Sequence, residues 1–291
     1  MYGQLVLGAA RQKPVRSLLA RSTVNRRVVA RFVAGDDIES ALTTARTLSA
    51  DGLRVTLDHL GEDVTDAVHA DRTVAAYRVL VDRLAEEGLA DGAKVSVKLS
   101  ALGQSTERGF ALVEHAYRND VDVTFDMEDH TTVDRTLAAV RELRQQFPRL
   151  GCVLQSMLLR TEDDARDFAY PGSRVRLVKG AYAEPPSVAH GRKSQVDRAY
   201  VRCLRTLVEG GAYAMVATHD PRLLRIAATR PIGEYQMLYG VRPAEQRRLA
   251  DAGDTVRIYV PFGTDWYAYF TRRLAERPAN LAFFARSLVS S

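Results

Sequence analysis

Along the chain, short runs dense in β-branched, aliphatic and aromatic residues alternate with longer segments whose apolar positions recur every three or four residues. The short runs fall at 54–58, 94–98, 122–126, 151–155, 175–179, 213–217, 234–238 and 256–260. Each has the length and composition of a strand. The longer segments have a helical rhythm. In 65–87 the apolar positions are Val68, Val74, Tyr77, Leu80, Val81 and Leu84; in 132–146 they are Val133, Leu137, Val140 and Leu143. In 194–209 they are Val196, Tyr200, Val201, Leu204 and Leu207, and Asp220-Pro221 reads as an N-cap followed by Pro at the first helical position. Strands alternating with helices predict a parallel sheet with right-handed crossovers. Eight such repeats are the number that closes an α/β, TIM-type (β/α)8 barrel. A doubly wound open sheet is the alternative, with fewer strands. The expected division is an N-terminal helical arm over 1–35 and a barrel over 36–291.

Composition narrows the class. Hydrophobic residues are 46% and charged residues 26% of 291, an ordinary globular balance that excludes a disordered or collagen-like chain. No apolar run is long enough to cross a membrane. Two cysteines, Cys152 and Cys203, exclude a disulfide framework and a Cys-based zinc site, and a reducing, cytoplasmic location is expected. The net charge of +5 is unevenly distributed. No acid precedes Asp36, whereas that stretch carries Arg11, Lys13, Arg16, Arg21, Arg26, Arg27 and Arg31, which leaves −2 for the rest. A nearly neutral body argues against a nucleic-acid partner. The arm suits contact with an anionic surface such as the inner face of the cell membrane, or a solvated basic helix. Within it, Val24, Val28 and Phe32 are spaced to face either lipid or barrel. Only five of the 41 basic residues are lysine. Lys98, Lys179 and Lys193 therefore draw notice, because lysine and arginine are not equivalent.

In barrels of this kind function lies at the C-terminal ends of the strands. Those ends carry Asp58, Lys98, Asp126, Gln155, Lys179, Thr218-His219, Gln236 and Tyr259. Such a ring of polar groups reads as a functional mouth. Asp58, Asp126 and His219 are ligand types, with His130 a weaker fourth, but Lys98, Lys179 and Arg176 beside them would repel a divalent ion, so no metal is expected. No GxGxxG follows a strand and no GxxxxGK[ST] occurs, which disfavours a Rossmann or P-loop site. Gly180, directly after a strand, either lets backbone approach a planar ring closely or is a turn glycine. Near the end, Tyr269, Arg272 and Arg273 share one helix face, with Glu276 a turn beyond. Two guanidinium forks and an aromatic plate suit a carboxylate with an apolar body, although a surface helix with an ion pair has the same spacing.

The chain resembles the proline dehydrogenase family, including the dehydrogenase part of bifunctional proline-utilisation proteins. The matching motifs are Asp58-His-Leu-Gly-Glu62, Val97-Lys98-Leu-Ser100, Asp126-Met127-Glu128 and Arg176-Leu-Val-Lys-Gly-Ala-Tyr182. They continue with Ala217-Thr-His219, Tyr235-Gln236-Met-Leu238, Arg257-Ile-Tyr-Val-Pro-Phe-Gly263 and Tyr269-x-x-Arg272-Arg273-x-x-Glu276. The resemblance implies an FAD-dependent barrel enzyme that oxidises L-proline to 1-pyrroline-5-carboxylate and passes electrons to membrane quinone. A downstream pyrroline-5-carboxylate dehydrogenase is then a candidate partner. It also implies roles. Arg272, Arg273 and Lys98 would hold the carboxylate, and Tyr182, Leu238, Tyr259 and Tyr269 would surround the pyrrolidine ring. Asp126 and Arg176 would be catalytic, with Asp126 and Met127 beside the flavin and Gln155 and Arg176 hydrogen-bonded to it. Val178, Lys179, Gly180, Ala181 and Tyr182 would line the cofactor, and Thr218, His219, Lys193, Gln236 and Glu276 would meet its outer parts. Glu62 would gate the site by pairing with Arg272. Two departures from the family pattern, Ser156-Met157 and Ala183, stand near the flavin's far end.

A fixed set of cations matches an anionic substrate, and a positive field suits a reduced flavin. Two other classes fit the residues alone: a Schiff-base aldolase barrel with Lys98 or Lys179 as nucleophile, and a non-catalytic barrel docked on a membrane.

Overall fold

The computed structural model describes residues 29–270. Helix α1 (Ile38–Ala50) leads into strand β1 (Arg54–His59). The chain then alternates α2 (Ala67–Glu86), β2 (Ala93–Lys98), α3 (Thr106–Arg118), β3 (Asp122–Asp126), α4 (Val133–Leu143) and β4 (Gly151–Gln155). It continues through α5 (Thr161–Asp167), β5 (Arg174–Val178), α6 (Lys193–Glu209), β6 (Tyr213–Ala217), α7 (Pro221–Ala227), β7 (Glu234–Leu238), α8 (Pro243–Asp251) and β8 (Val256–Phe262). The eight strands are parallel in sequence order, and β8 pairs with β1 to close the barrel. This is the (β/α)8 architecture that the alternating pattern predicts.

Boundaries differ from the predicted ones in a few places, each with a local cause. Helix α2 starts only after Asp66, whose carboxylate accepts from the Val68 and His69 N–H groups. Helix α4 stops three residues before the predicted end. Arg144 turns inward there to donate to the carbonyls of Leu150 and Arg174. Strand β5 ends at Val178, so Lys179 begins the following loop. Helix α7 has the predicted cap: Asp220 accepts from the Arg222 N–H and Pro221 fills the first turn.

Every strand divides its residues between two environments, because alternate side chains point to opposite faces. Val55, Leu57, Val95, Val97, Val123, Phe125, Val175, Leu177, Ile258 and Val260 face outward and pack with helix residues such as Leu42, Leu80, Leu112 and Leu204 in one continuous core. Burying each such aliphatic side chain contributes about 1.5–3 kcal/mol. Most of the alternate positions are polar and also buried: Thr56, Asp58, Lys94, Ser96, Lys98, Thr124, Asp126, Arg176, Glu234, Gln236 and Arg257, while β4 and β6 supply the apolar Val153 and Met215. Their contacts cross between strands that are not neighbours, as Arg176 of β5 reaches Ser96 of β2. The barrel interior is therefore mostly polar, and the main hydrophobic core lies between barrel and helices.

A second apolar cluster sits apart from the core. Phe32, Val33, Leu60, Tyr269 and Phe270 are buried together, with Trp266 and Tyr259 against them. Phe32, which the sequence left open to lipid or barrel, faces the barrel, with its ring 6.4 Å from that of Phe270. Ala34 N–H donates to Pro261 O at 2.9 Å and Gly263 N–H to Gly35 O at 2.8 Å. Residues 29–35, on the arm side of the expected boundary, are thus fastened to β8. Val24, Val28 and the charges up to Arg27 lie outside the described residues.

Candidate active site

Asp126 closes β3, Arg176 is central in β5 and Tyr259 is in β8, yet their side chains meet inside the mouth. Tyr259 Oη donates to Asp126 Oδ2 at 2.6 Å, and Ser96 Oγ donates to Asp126 Oδ1 at 2.7 Å. Arg176 Nη1 donates to the same Oδ1 and to Ser96 Oγ. The Arg176 guanidinium also lies over the Tyr259 ring, 5.2 Å from its centre. Burial, with the neighbouring Asp126 and Asp58 charges, pushes the Tyr259 phenol well above its ordinary value of 10.0. It is therefore a donor throughout the neutral range. One group is left over: Arg176 Nη2 is buried and has no hydrogen-bond partner among the described residues. A buried, unmatched donor of a charged group is costly unless something else accepts from it.

Below this layer, Arg176 Nε donates to Gln236 Oε1 at 2.5 Å, and Gln236 Nε2 donates to Glu234 Oε1 at 2.6 Å. Glu234 also accepts from Arg257 Nε at 2.9 Å and Lys94 Nζ at 3.4 Å. Burial alone would raise the Glu234 carboxyl, but Arg257 and then Lys94 outweigh it and hold it at about 2. Lys94 shares that carboxylate with a closer cation, and burial together with Arg257 brings its amine down to about 7.

The other predicted site residues distribute around the rim. Lys98 Nζ sits 3.2 Å from Asp58, both buried, where β2 ends. Gln155 Nε2 donates to Glu128 O at 2.7 Å. The Glu128 carboxylate accepts from the hydroxyl and N–H of Ser100, and burial raises its pKa. Met127 is buried beside it. Val178, Lys179, Gly180, Ala181 and Tyr182 form a half-buried strip along the mouth. Gly180 has φ +105, and a Cβ there would lie 2.4 Å from Met157 Sδ. Only glycine fits without displacing that side chain. Met157 and Ser156, the departures from the family pattern, extend β4 against this strip: their N–H groups donate to Lys179 O and Val178 O.

Lys179 and Lys193 both pair with Asp197 and Asp220, a four-charge cluster at the α6 and α7 N-termini. Lys98 and Lys179 are thus engaged by carboxylates, the arrangement of ion pairs and not of a desolvated amine nucleophile. Thr218 is buried and accepts from Asp220 N–H through its hydroxyl. His219 Nε2 accepts from Leu238 N–H at 3.0 Å, which leaves that nitrogen unprotonated and aligns His219 with the end of β7. Gln236, expected at the cofactor's outer parts, has its amide committed to Arg176 and Glu234. Tyr269 is buried in the second apolar cluster and joins Glu62, Lys98 and Asp265 around a cleft of about 250 Å³. Arg272, Arg273 and Glu276 lie outside the described residues.

Ser96, Lys94, Glu234 and Arg257 have no expected role in the sequence, although Arg257 heads one of the family motifs. The signal was present as polar residues two apart: Lys94, Ser96 and Lys98 in β2, Glu234 and Gln236 in β7, Arg257 and Tyr259 in β8. Period two in a closed barrel aims all of them inward.

A family model described as proline dehydrogenase matches residues 41–286. The chain belongs to the proline dehydrogenase family. The proline dehydrogenases similar to it include Proline dehydrogenase 1 of Bacillus subtilis (strain 168), 38% identical over 273 residues that cover 89% of this chain and 90% of that one. The proline dehydrogenase of Deinococcus radiodurans is also 38% identical, over 310 residues covering 99% and 98% of the two chains. Among solved structures, proline utilization A from Bdellovibrio bacteriovorus, inactivated by N-propargylglycine, superposes with a TM-score of 0.79 at 25% identity. That match covers 87% of this chain and 33% of the longer protein. Membership in this family makes the protein an oxidoreductase, and the polar ring at the strand ends is its candidate active site.

Proposed function

We propose that the protein oxidises L-proline to 1-pyrroline-5-carboxylate with bound FAD and hands the electrons to a membrane quinone. The observation that carries this reading is the Arg176 guanidinium. Two of its nitrogens are anchored by Gln236, Asp126 and Ser96, and Nη2 remains as a buried donor for a group not supplied by the described residues. A hydrogen-bonding, planar cofactor is such a group, and the half-buried strip Val178–Tyr182 with its obligate Gly180 gives it a wall. The chemistry that FAD supplies when bound is acceptance of a hydride from the substrate carbon beside the ring nitrogen.

The chain's own residues do the rest. Arg176 presents positive charge where negative charge grows during the reaction. Asp126 and Tyr259 hold its orientation, and Met127 and Gln155 stand beside them. Lys179, Lys193, Thr218, His219 and Glu276 serve the outer parts of the cofactor. Lys98, Arg272 and Arg273 bind the substrate carboxylate, while Tyr182, Leu238, Tyr259 and Tyr269 enclose the ring and exclude water. Glu62 at the cleft pairs with Arg272 when the site closes. Only the neutral amine of proline yields a hydride readily, so turnover rises with pH. Among the described residues no helix is long and apolar enough to cross a membrane. The basic arm is the proposed contact with the inner face of the cell membrane, for a protein otherwise cytoplasmic. A pyrroline-5-carboxylate dehydrogenase is the proposed consumer of the product.

The test is the visible spectrum of the purified protein before and after proline is added without air. Flavin absorbance that bleaches with proline is expected. Colourless protein that binds no FAD, or a flavin spectrum indifferent to proline, would overturn the reading.

A further inference from the structure

We propose that Glu234, which does not touch Arg176, is a positioning residue for it, by dictating which end of the Gln236 amide Arg176 meets. A glutamine side chain has a donor end and an acceptor end of nearly equal shape, so a buried one must be told which way to point. Glu234 does so because an ionised carboxylate accepts and cannot donate. Its side chain is fully buried and held between Arg257 Nε and Lys94 Nζ. Arg257 is itself tied to the barrel wall, donating from Nη1 to Val55 O and Gly92 O. Against this fixed anion only Gln236 Nε2 can face Glu234, at 2.6 Å. Gln236 Oε1 must then face the opposite way, where it receives Arg176 Nε at 2.5 Å.

The consequence for Arg176 is geometric. A guanidinium is planar and rigid, so anchoring Nε on Gln236 and Nη1 on Asp126 and Ser96 fixes its plane. Nη2 is then the nitrogen left without a partner among the described residues. An amide flipped end for end would set two donors against each other at Arg176 Nε, and the guanidinium would lose one of its two anchors. This inference rests on the reading of Arg176 Nη2 as the donor offered to the flavin. The positioning itself is a property of the protein and can be measured without turnover.

The experiment compares three single variants of the full-length, FAD-loaded enzyme, with one double variant and an Arg176→Lys control. Glu234→Gln removes the forced polarity. Glu234→Asp keeps the charge that Arg257 and Lys94 need but withdraws the carboxylate from Gln236, so it stays informative if Glu234→Gln does not fold. Gln236→Met deletes the relay and keeps the ion pairs of Glu234 with Arg257 and Lys94. The first readout is the Nε–H resonance of Arg176 in protein labelled with nitrogen-15 arginine, identified by its loss in Arg176→Lys. The second is the split between kcat and the proline KM. We expect the resonance to shift or broaden in all three variants. We also expect kcat to fall about tenfold or more, as small misplacements of a catalytic group do, with KM changed less than about twofold. Glu234→Asp combined with Gln236→Met should be no slower than Gln236→Met alone, because both act through one contact. A wild-type Arg176 resonance and wild-type kcat in Glu234→Asp would overturn the proposal, as would a double variant whose losses multiply. If the wild-type protein takes up no flavin, the same resonance shifts in the flavin-free variants relative to flavin-free wild type would uphold the positioning and sink only the proposed cofactor.

Discussion

Tyr259 and Asp126 stand 133 positions apart in the sequence, and 2.6 Å separates the phenol oxygen from the carboxylate oxygen that it donates to. The bond joins the last strand of the barrel to the third. It places an aromatic ring under the Arg176 guanidinium while supplying a buried carboxylate with a donor. Tyr259→Phe keeps the ring and removes the donor. A hydrogen bond to a charged group contributes about 1.5–3 kcal/mol, so the variant should be less stable by that amount and unfold at a lower denaturant concentration. Unfolding curves of the two FAD-loaded proteins check this, and equal midpoints would contradict it.

Arg176→Ala should slow flavin reduction by proline far more than it weakens proline binding. A donor aimed at charge that develops during the reaction acts on kcat rather than on ground-state affinity. Rapid-mixing measurements of flavin bleaching over a range of proline concentrations separate the two effects. Reduction at the wild-type limiting rate would remove Arg176 from its assigned role.

For the substrate carboxylate, Arg272→Met and Arg273→Met should each raise the proline KM while FAD content stays constant. Truncating one partner of a desolvated charge pair costs about 2–4 kcal/mol, roughly a 30- to 700-fold change. In the sequence the two arginines follow Tyr269 by three and four positions, the spacing expected of one helix face, so both variants should show it. A normal KM in either would exclude that arginine from the clamp.

Lys94 gives a pH-dependent prediction. Its amine is at about 7 in the fold against 10.5 ordinarily, chiefly through burial and then Arg257. Between those values the unfolded chain binds one more proton than the native one at this position. The cost of burying Lys94 is therefore present in full below 7 and falls as pH rises above it, by up to about 1.4 kcal/mol per unit. Lys94→Met removes that slope. The variant should exceed the wild type most at pH 6, with the margin shrinking towards pH 9. Denaturant titrations at several pH values measure the margin; a constant one would mean that Lys94 stays charged in the fold.

Two truncations separate the proposed membrane contact of the basic arm from its packing on the barrel. A chain lacking residues 1–28 should keep dye-coupled proline oxidation and lose efficient use of quinone in anionic vesicles, because it loses six of the seven arm charges. A chain beginning at Ala34 also lacks Phe32 and Val33, which are buried against Leu60 and Phe270. It should be destabilised by roughly 3–6 kcal/mol, the contribution of two buried apolar side chains. Vesicle binding equal to the full-length protein after removal of residues 1–28 would end the docking role.

Much of the architecture was determined locally and is readable in sequence. A strand that is buried on both faces needs a continuous run of residues that fit a pleat, and a crossover helix needs an apolar stripe. The eight repeats of the two announce a closed barrel. The positions at the strand ends follow, because a barrel has one mouth. The partners do not follow. Period two tells that Lys94, Glu234, Gln236 and Arg257 point inward, but not that Glu234 faces Arg257 across a strand pair or that Gln236 spends its amide on Arg176. Those meetings depend on the register of strands separated by long helical crossovers, and only closure of the barrel sets that register. The same limit explains Phe32. Its apolar spacing asked for a buried partner, and no local rule could choose between a lipid surface and Phe270, which lies 238 positions further along the chain and reaches it only when β8 has returned to β1.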